Sequence, residues 1–236
     1  EKLWDVFTRL EFRGMLKALS EERLDARPSP GSGGVERRDI ASIEPLLETL
    51  RKAGSFAFFI REEEEGAWSL NLAFDQEAVV GISREEDLAA LFDIPGVLAI
   101  GYDIKAARHF LARRGIAPRA RFFDVLIAAY VADPSKSATQ LESLLWNQLG
   151  LSGISRQDYW GREAHFLWKL KEVLTRRLDE DKLLGLLDDV EMPLVDVLFG
   201  MEERGIALDT NVLARLSAKI DKRLEKLTAS IYDAAG

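Results

Sequence analysis

Hydrophobic positions along the chain change their period, and the changes divide it. Leu3, Phe7, Leu10, Met15 and Leu19 recur at roughly helical spacing and predict one amphipathic helix over residues 1–20. Residues 21–38 come next, with RPSPGSGG (27–34) concentrating proline, glycine and serine, and they read as a linker. A strand-rich block succeeds it. SFAFFI (55–60) and AWSLNLAF (67–74) flank a Glu-rich turn ending at Gly66, and EAVVGIS (77–83) lies close behind, so the three are expected as antiparallel neighbours. The pattern then alternates. REEDLAALF (84–92) is helical, with Ser83 as N-cap and Glu86 three residues on. GVLAIG (96–101) is an apolar strand, and IKAARHFLARRG (104–115) is a helix closed by glycine. ARFFD supplies a short strand ending at Asp124, which can cap the helix VLIAAYVA before Asp133-Pro134 breaks it. Thr139–Leu149 and Tyr159–Arg177 read as further helices.

From residue 188 no strand pattern remains. A helix closing at Gly205 leads to a second whose Val212, Leu216, Ile220, Leu224, Leu227 and Ile231 form one apolar stripe. The order predicts an α/β domain over 39–187, a mixed five-stranded sheet flanked by helices, followed by an all-α segment over 188–236. The ribonuclease-H-like nuclease fold has this order.

Composition narrows the classes. With 47% hydrophobic residues among 236 the chain can bury a sizeable core, and 31% charged residues fit an ordinary solvated surface. A formal net charge of −8 argues against a broad phosphate-gripping surface. The chain contains no cysteine, which excludes disulfides and thiolate metal sites, and no apolar run reaches membrane-spanning length. The expectation is a cytoplasmic protein without a membrane partner.

At Glu191 the sequence meets a specific pattern. VEMPLVDVLFGMEERGIALDTNVL resembles the entry into the polymerase domain of the bacterial family A DNA polymerases, the DNA polymerase I family. GYDIKAARHFLARRGI and FFDVLIAAYVADP are similar to a later region of that family's 3′–5′ exonuclease domain. LWDVFTRLEFRGMLKAL is similar to the closing helix of its 5′-nuclease domain. The resemblance implies a chain that crosses the exonuclease-like domain and stops just inside the polymerase domain, before its palm and fingers motifs. It implies DNA as the partner of the full polymerase, with weak binding by this segment, and Mg2+ as the family's metal.

The same resemblance implies where nuclease chemistry would sit. Such sites hold two divalent ions through carboxylates. The family pattern is Asp-x-Glu on the first strand, an Asp on a following helix, and Tyr-x-x-x-Asp on a late helix. In this sequence those positions carry Phe59 and Arg61, Ala107, and Tyr159 with Glu163. One carboxylate of four remains. A guanidinium about 4 Å from a dication would repel it by roughly 8 kcal/mol at an effective dielectric near 20. No catalytic residue, metal or cofactor is therefore expected, and Phe59 and Ala107 are expected to fill the vacated space.

Other residue types have plainer readings beside chemical ones. Glu62 and Glu64 reproduce the two-residue spacing of the lost pair but fall in a polar hairpin. Asp103 and Asp124 suit helix N-caps. His109 and His165 lack partners at ligand spacing. Trp68, Trp146, Trp160 and Trp168 could stack bases, though packing explains them, and Arg113-Arg114 and Arg176-Arg177 suit solvated helix ends. Three functions are open: a structural exonuclease-like module, an active nuclease using Glu62, Glu64, Asp103 and Glu163, or a module that binds single-stranded DNA without cutting it. The first is the reading adopted.

Overall fold

A computed structural model describes residues 36–39, 42–63, 66–74, 78–136, 140–151, 159 and 161–235. The expected helix over 1–20 and the RPSPGSGG stretch lie outside them. The chain divides into a unit ending at Phe199 and a second unit from Gly200 to Gly236.

The first unit is built on one mixed sheet of six strands: β1 (Glu36–Asp39), β2 (Ser55–Glu62), β3 (Trp68–Ala73), β4 (Ala78–Ile82), β5 (Leu98–Gly101) and β6 (Arg121–Asp124). Their spatial order is β1-β4-β3-β2-β5-β6. β2, β3 and β4 pair antiparallel, as their close spacing in the sequence predicts. β5 and β6 extend the sheet parallel to β2. The sheet has one strand more than the five expected. β1 pairs parallel with β4 and overlaps the stretch read as linker. Its sequence, ERRD, has no apolar alternation to announce it, and charged residues are what a sheet edge tolerates.

Helices α1 (Glu44–Ala53), α2 (Glu85–Phe92) and α3 (Ile104–Ala112) cover one face, where Phe56, Phe58, Leu70 and Leu72 meet Leu50, Leu91, Phe92 and Phe110. The other face carries α4 (Val125–Ala132), α5 (Leu141–Leu149) and α6 (Glu163–Glu180), packed on Ala57, Ala73 and Ile100. Alternation along β2 therefore sends Phe56 and Phe58 to one layer and Ala57, Phe59 and Arg61 to the other.

Several boundaries differ from expectation for local reasons. Arg84, not Ser83, is the N-cap of α2, with an extended backbone and a guanidinium that pairs with Asp87. The long helix does not run unbroken from Tyr159. Gly161 takes a left-handed conformation (φ 77°), and α6 begins at Glu163. A π-type turn over Leu187–Glu191 leads without a break into α7 (Met192–Arg204), and Pro193, which has no N–H to donate, sits just past that turn. Gly205, with φ 63°, follows α7 and donates to the Met201 carbonyl.

The second unit contains α8 (Thr210–Ala235), with the Asp209 carboxylate accepting from the N–H groups of Asn211 and Val212 at its start.

Candidate functional site

β2 pairs with β5 only over its first three residues, Ser55–Ala57. Beyond Ala57 the two strands part, and a crevice opens beside their carboxyl ends, where α/β sheets commonly place ligands. Of the positions singled out from sequence, Phe59 and Ala107 line it with Glu62 and Asp103, whereas Arg61, Tyr159 and Glu163 do not.

Arg61 and Glu163 are brought together. Alternation points Arg61 toward α6, and Glu163 occupies the first position of that helix, so the guanidinium forms a salt bridge with Glu163 Oε1. The second carboxylate oxygen accepts from Asn71 Nδ2 at 3.0 Å. Both partners are buried, Arg61 at 9% and Glu163 at 2% exposure, so the pair lies where water screens it little. Asn71 stands on β3 directly opposite Phe59 and is itself buried. The sequence reading missed it. The signal was present, because Asn71 is the polar residue of the apolar run LNLAF.

Phe59 and Ala107 do not fill the space. Phe59 is half-buried, its ring 6.4 Å from that of Tyr102, and Ala107 is buried on α3. A groove of about 390 Å³ runs alongside them, lined also by Ile60, Asp103, His109 and Arg113. Tyr102 sits beside it, its hydroxyl pushed up to about 12 by burial and by the charge of Asp103. Tyr159 is buried and its hydroxyl donates to Glu142, so it is turned to α5.

The remaining candidates disperse. Glu62 pairs with Arg113 on the surface, and Glu64 lies outside the described residues. Asp103, in a left-handed conformation (φ 53°), accepts from Ala106 N at 3.1 Å and caps α3. Asp124 does more than cap α4. Besides Leu126 N at 2.9 Å it accepts from Ile104 N at 2.7 Å and Asp103 N at 3.2 Å, which ties the start of α3 to the end of β6. Burial raises its carboxyl to about 6, opposed by those N–H bonds. Nearby, Gly101 has no room for a side chain, since a Cβ would lie 2.6 Å from Ile104 and 2.8 Å from the Phe58 ring.

His109 packs against Phe199 with ring centroids 4.9 Å apart, and His165 is buried beside Phe166. Trp68 packs edge-on to Phe110 at 5.7 Å, Trp168 joins the layer of α4 and α6, Trp146 lies half-buried on α5, and Trp160 lies outside the described residues. Arg114 lies over the Phe110 ring, and Arg177 pairs with Asp133 and Asp181. Among the described residues no three His, Asp or Glu side chains gather as a metal site, and no helix is long and apolar enough to cross a membrane.

No protein-family model matches the chain. It is 26% identical over 251 residues to the DNA polymerase I of Caldicellulosiruptor bescii, a match covering 100% of this chain and 27% of that protein. The chain thus spans about a quarter of that relative's length. Among solved structures, the POL domain of Pol1 from M. smegmatis, in complex with DNA primer-template and dNTP, superposes with a TM-score of 0.66 at 22% identity over 80% of this chain and 36% of that one. Escherichia coli RNase D, an exoribonuclease involved in structured RNA processing, superposes at 0.55 and 13% identity over 71% of this chain and 51% of that one. These structural likenesses bear on the fold, and the ribonuclease-H-like α/β architecture is the one observed.

Proposed function

The chain is a relative of bacterial DNA polymerase I along its whole length, and from that premise we propose that its first unit is a nuclease-like domain without nuclease chemistry, acting as a structural part of a DNA polymerase. The observation that carries this reading is the buried Arg61–Glu163 pair. A hydrolytic site of this fold requires carboxylates with oxygens open to divalent ions. Here the surviving carboxylate has one oxygen on a guanidinium and the other on an amide. The positions expected to supply further ligands carry Phe59 and Ala107, so the side chains present do not fit a pair of Mg2+ ions. Arg61 delivers its positive charge on a side chain, and the charge balance that a metal would supply is met within the protein.

In this reading the polymerase of which the segment is part makes DNA in replication and repair in the cytoplasm. Its Mg2+ is held elsewhere, and the first unit supports the polymerase domain mechanically. The reading is tested with end-labelled single-stranded DNA incubated with the chain and Mg2+ or Mn2+. The expected result is no metal-dependent shortening. Removal of 3′ nucleotides above a metal-free control would overturn the proposal.

The groove favours a second reading, in which a DNA end is held without being cut. Phe59 and Tyr102 offer ring faces for a base. Against it, Arg113 in the same groove is engaged by Glu62, which leaves Asp103 to repel phosphates. A salt titration of oligonucleotide binding separates the readings, because phosphate contacts give a steep loss of affinity with salt.

A further inference from the structure

α7 begins in the first unit, and its last residues, Gly200–Arg204, belong to the second. Met192, Val195, Asp196 and Phe199 follow the i, i+3, i+4, i+7 spacing that places them on one face of it. Val195 is buried in the same core layer as Ile104 of α3. The rest of the attachment is thin. A groove of about 390 Å³ lies between α3, β6 and the start of α7, lined by Ile104, Phe122 and Pro193 among others, so the helix is not packed closely along its whole length.

Arg108 reaches across from α3. Its guanidinium forms a salt bridge with Asp196 and stands over the Phe199 ring, 4.9 Å from the centroid. His109 meets the same ring, with centroids 4.9 Å apart. Arg108 is 21% exposed and Asp196 62%, so the ion pair alone would be weak. The ring contact adds to it cheaply, because one side chain serves both contacts and its conformational freedom is lost once.

The segment gripped in this way is bounded by places where a helix yields. Before it comes the π-type turn over Leu187–Glu191, a local departure from α-helical bonding. After Phe199 comes Gly200, a poor helix former, where an added Cβ would meet nothing and packing does not call for glycine.

We propose that Arg108 is a latch that holds α7 on α3 between these two yielding points and so fixes the course of the helix as it leaves the nuclease-like unit. On the reading that this unit is a mechanical support, Arg108 is the side chain through which the support reaches α7.

Amide hydrogen exchange in the 236-residue chain tests this. A helix this short is marginal once undocked, so loss of the latch exposes its amides. Arg108→Met keeps an apolar stem and removes the guanidinium. Exchange across Val195–Phe199 should then quicken about tenfold, while the amides of β2 and β3 keep their wild-type rates. Phe199→Leu should quicken it severalfold. The double variant should exchange little faster than Arg108→Met alone, since the ring then has no guanidinium to meet. Wild-type exchange at Val195–Phe199 in Arg108→Met, acceleration spread equally through β2 and β3, or effects of the two substitutions that simply multiply would overturn the proposal. None of these outcomes bears on whether DNA is shortened, so failure of the latch and failure of the structural reading are told apart.

Discussion

Glu163 and Asp124, two of the buried carboxylates among the described residues of the first unit, are held in opposite ways. Glu163 is met by side chains, the Arg61 guanidinium and the Asn71 amide, reaching it from two neighbouring strands. Asp124 is met by the backbone, through three N–H groups at the junction of β6, α3 and α4. A side-chain cation neutralises charge but can be deleted by one substitution. Backbone donors survive almost any substitution, yet they leave the charge without a counterion, and burial holds the Asp124 carboxyl up near 6. Glu163 therefore depends on the identity of its neighbours, and Asp124 on the pH.

The largest effect should come from breaking the side-chain arrangement. Arg61→Met leaves Glu163 buried beside a thioether and should destabilise the unit by about 4 kcal/mol. The double variant Arg61→Met/Glu163→Met should recover most of that loss. Urea denaturation of the three proteins measures both, and equal destabilisation by the single and double variants would deny that the pair acts as a unit.

A somewhat smaller effect belongs to Asp124. Its proton is bound more tightly in the folded chain, at about 6 against an ordinary 3.8, so its contribution to stability is full below about 3.8 and is lost as pH rises through about 6. The difference amounts to roughly 3 kcal/mol at most. Subtracting the stability–pH profile of Asp124→Asn from that of the wild type should expose this downward slope. A flat difference would mean that the three N–H donors hold the carboxyl at its ordinary value.

Tyr159→Phe removes one hydroxyl bonded to Glu142 and should cost about 1 kcal/mol, with no effect on Arg61 or Glu163. The smallest effect is none. Millimolar Mg2+ should leave the melting temperature unchanged beyond a matched sodium control, whereas a saturable rise would show that Glu163 is available to metal.

The sheet was largely legible because the apolar runs of β2, β3 and β4 are short and separated by polar turns and because Gly115 and Asp124 punctuate the later elements. β1 was not, since four charged residues carry no period, and its partner β4 is remote in sequence. The site was legible as a set of positions but not as a structure. Arg61 and Glu163 are 102 residues apart, and only the packing of α6 across β2 and β3 makes them neighbours. Phe59 was expected to fill the crevice and instead lines the groove there with its ring half-buried. Asp124 was read as a cap for its own helix. Its bonds to Asp103 and Ile104 belong to a different helix, and nothing local foretells them.

The Arg61–Glu163 pair also constrains which sequences are neighbours of this one. Replacing Arg61 alone by a carboxylate places two buried acids side by side with no cation between them, and like charges so close cannot both ionise. Replacing Glu163 alone leaves a buried guanidinium without its anion. Each of these two single replacements therefore passes through a less stable protein, whereas changing both residues together avoids that intermediate. The pair thus couples two positions 102 residues apart, so that a change at either is tolerated best when it is matched at the other.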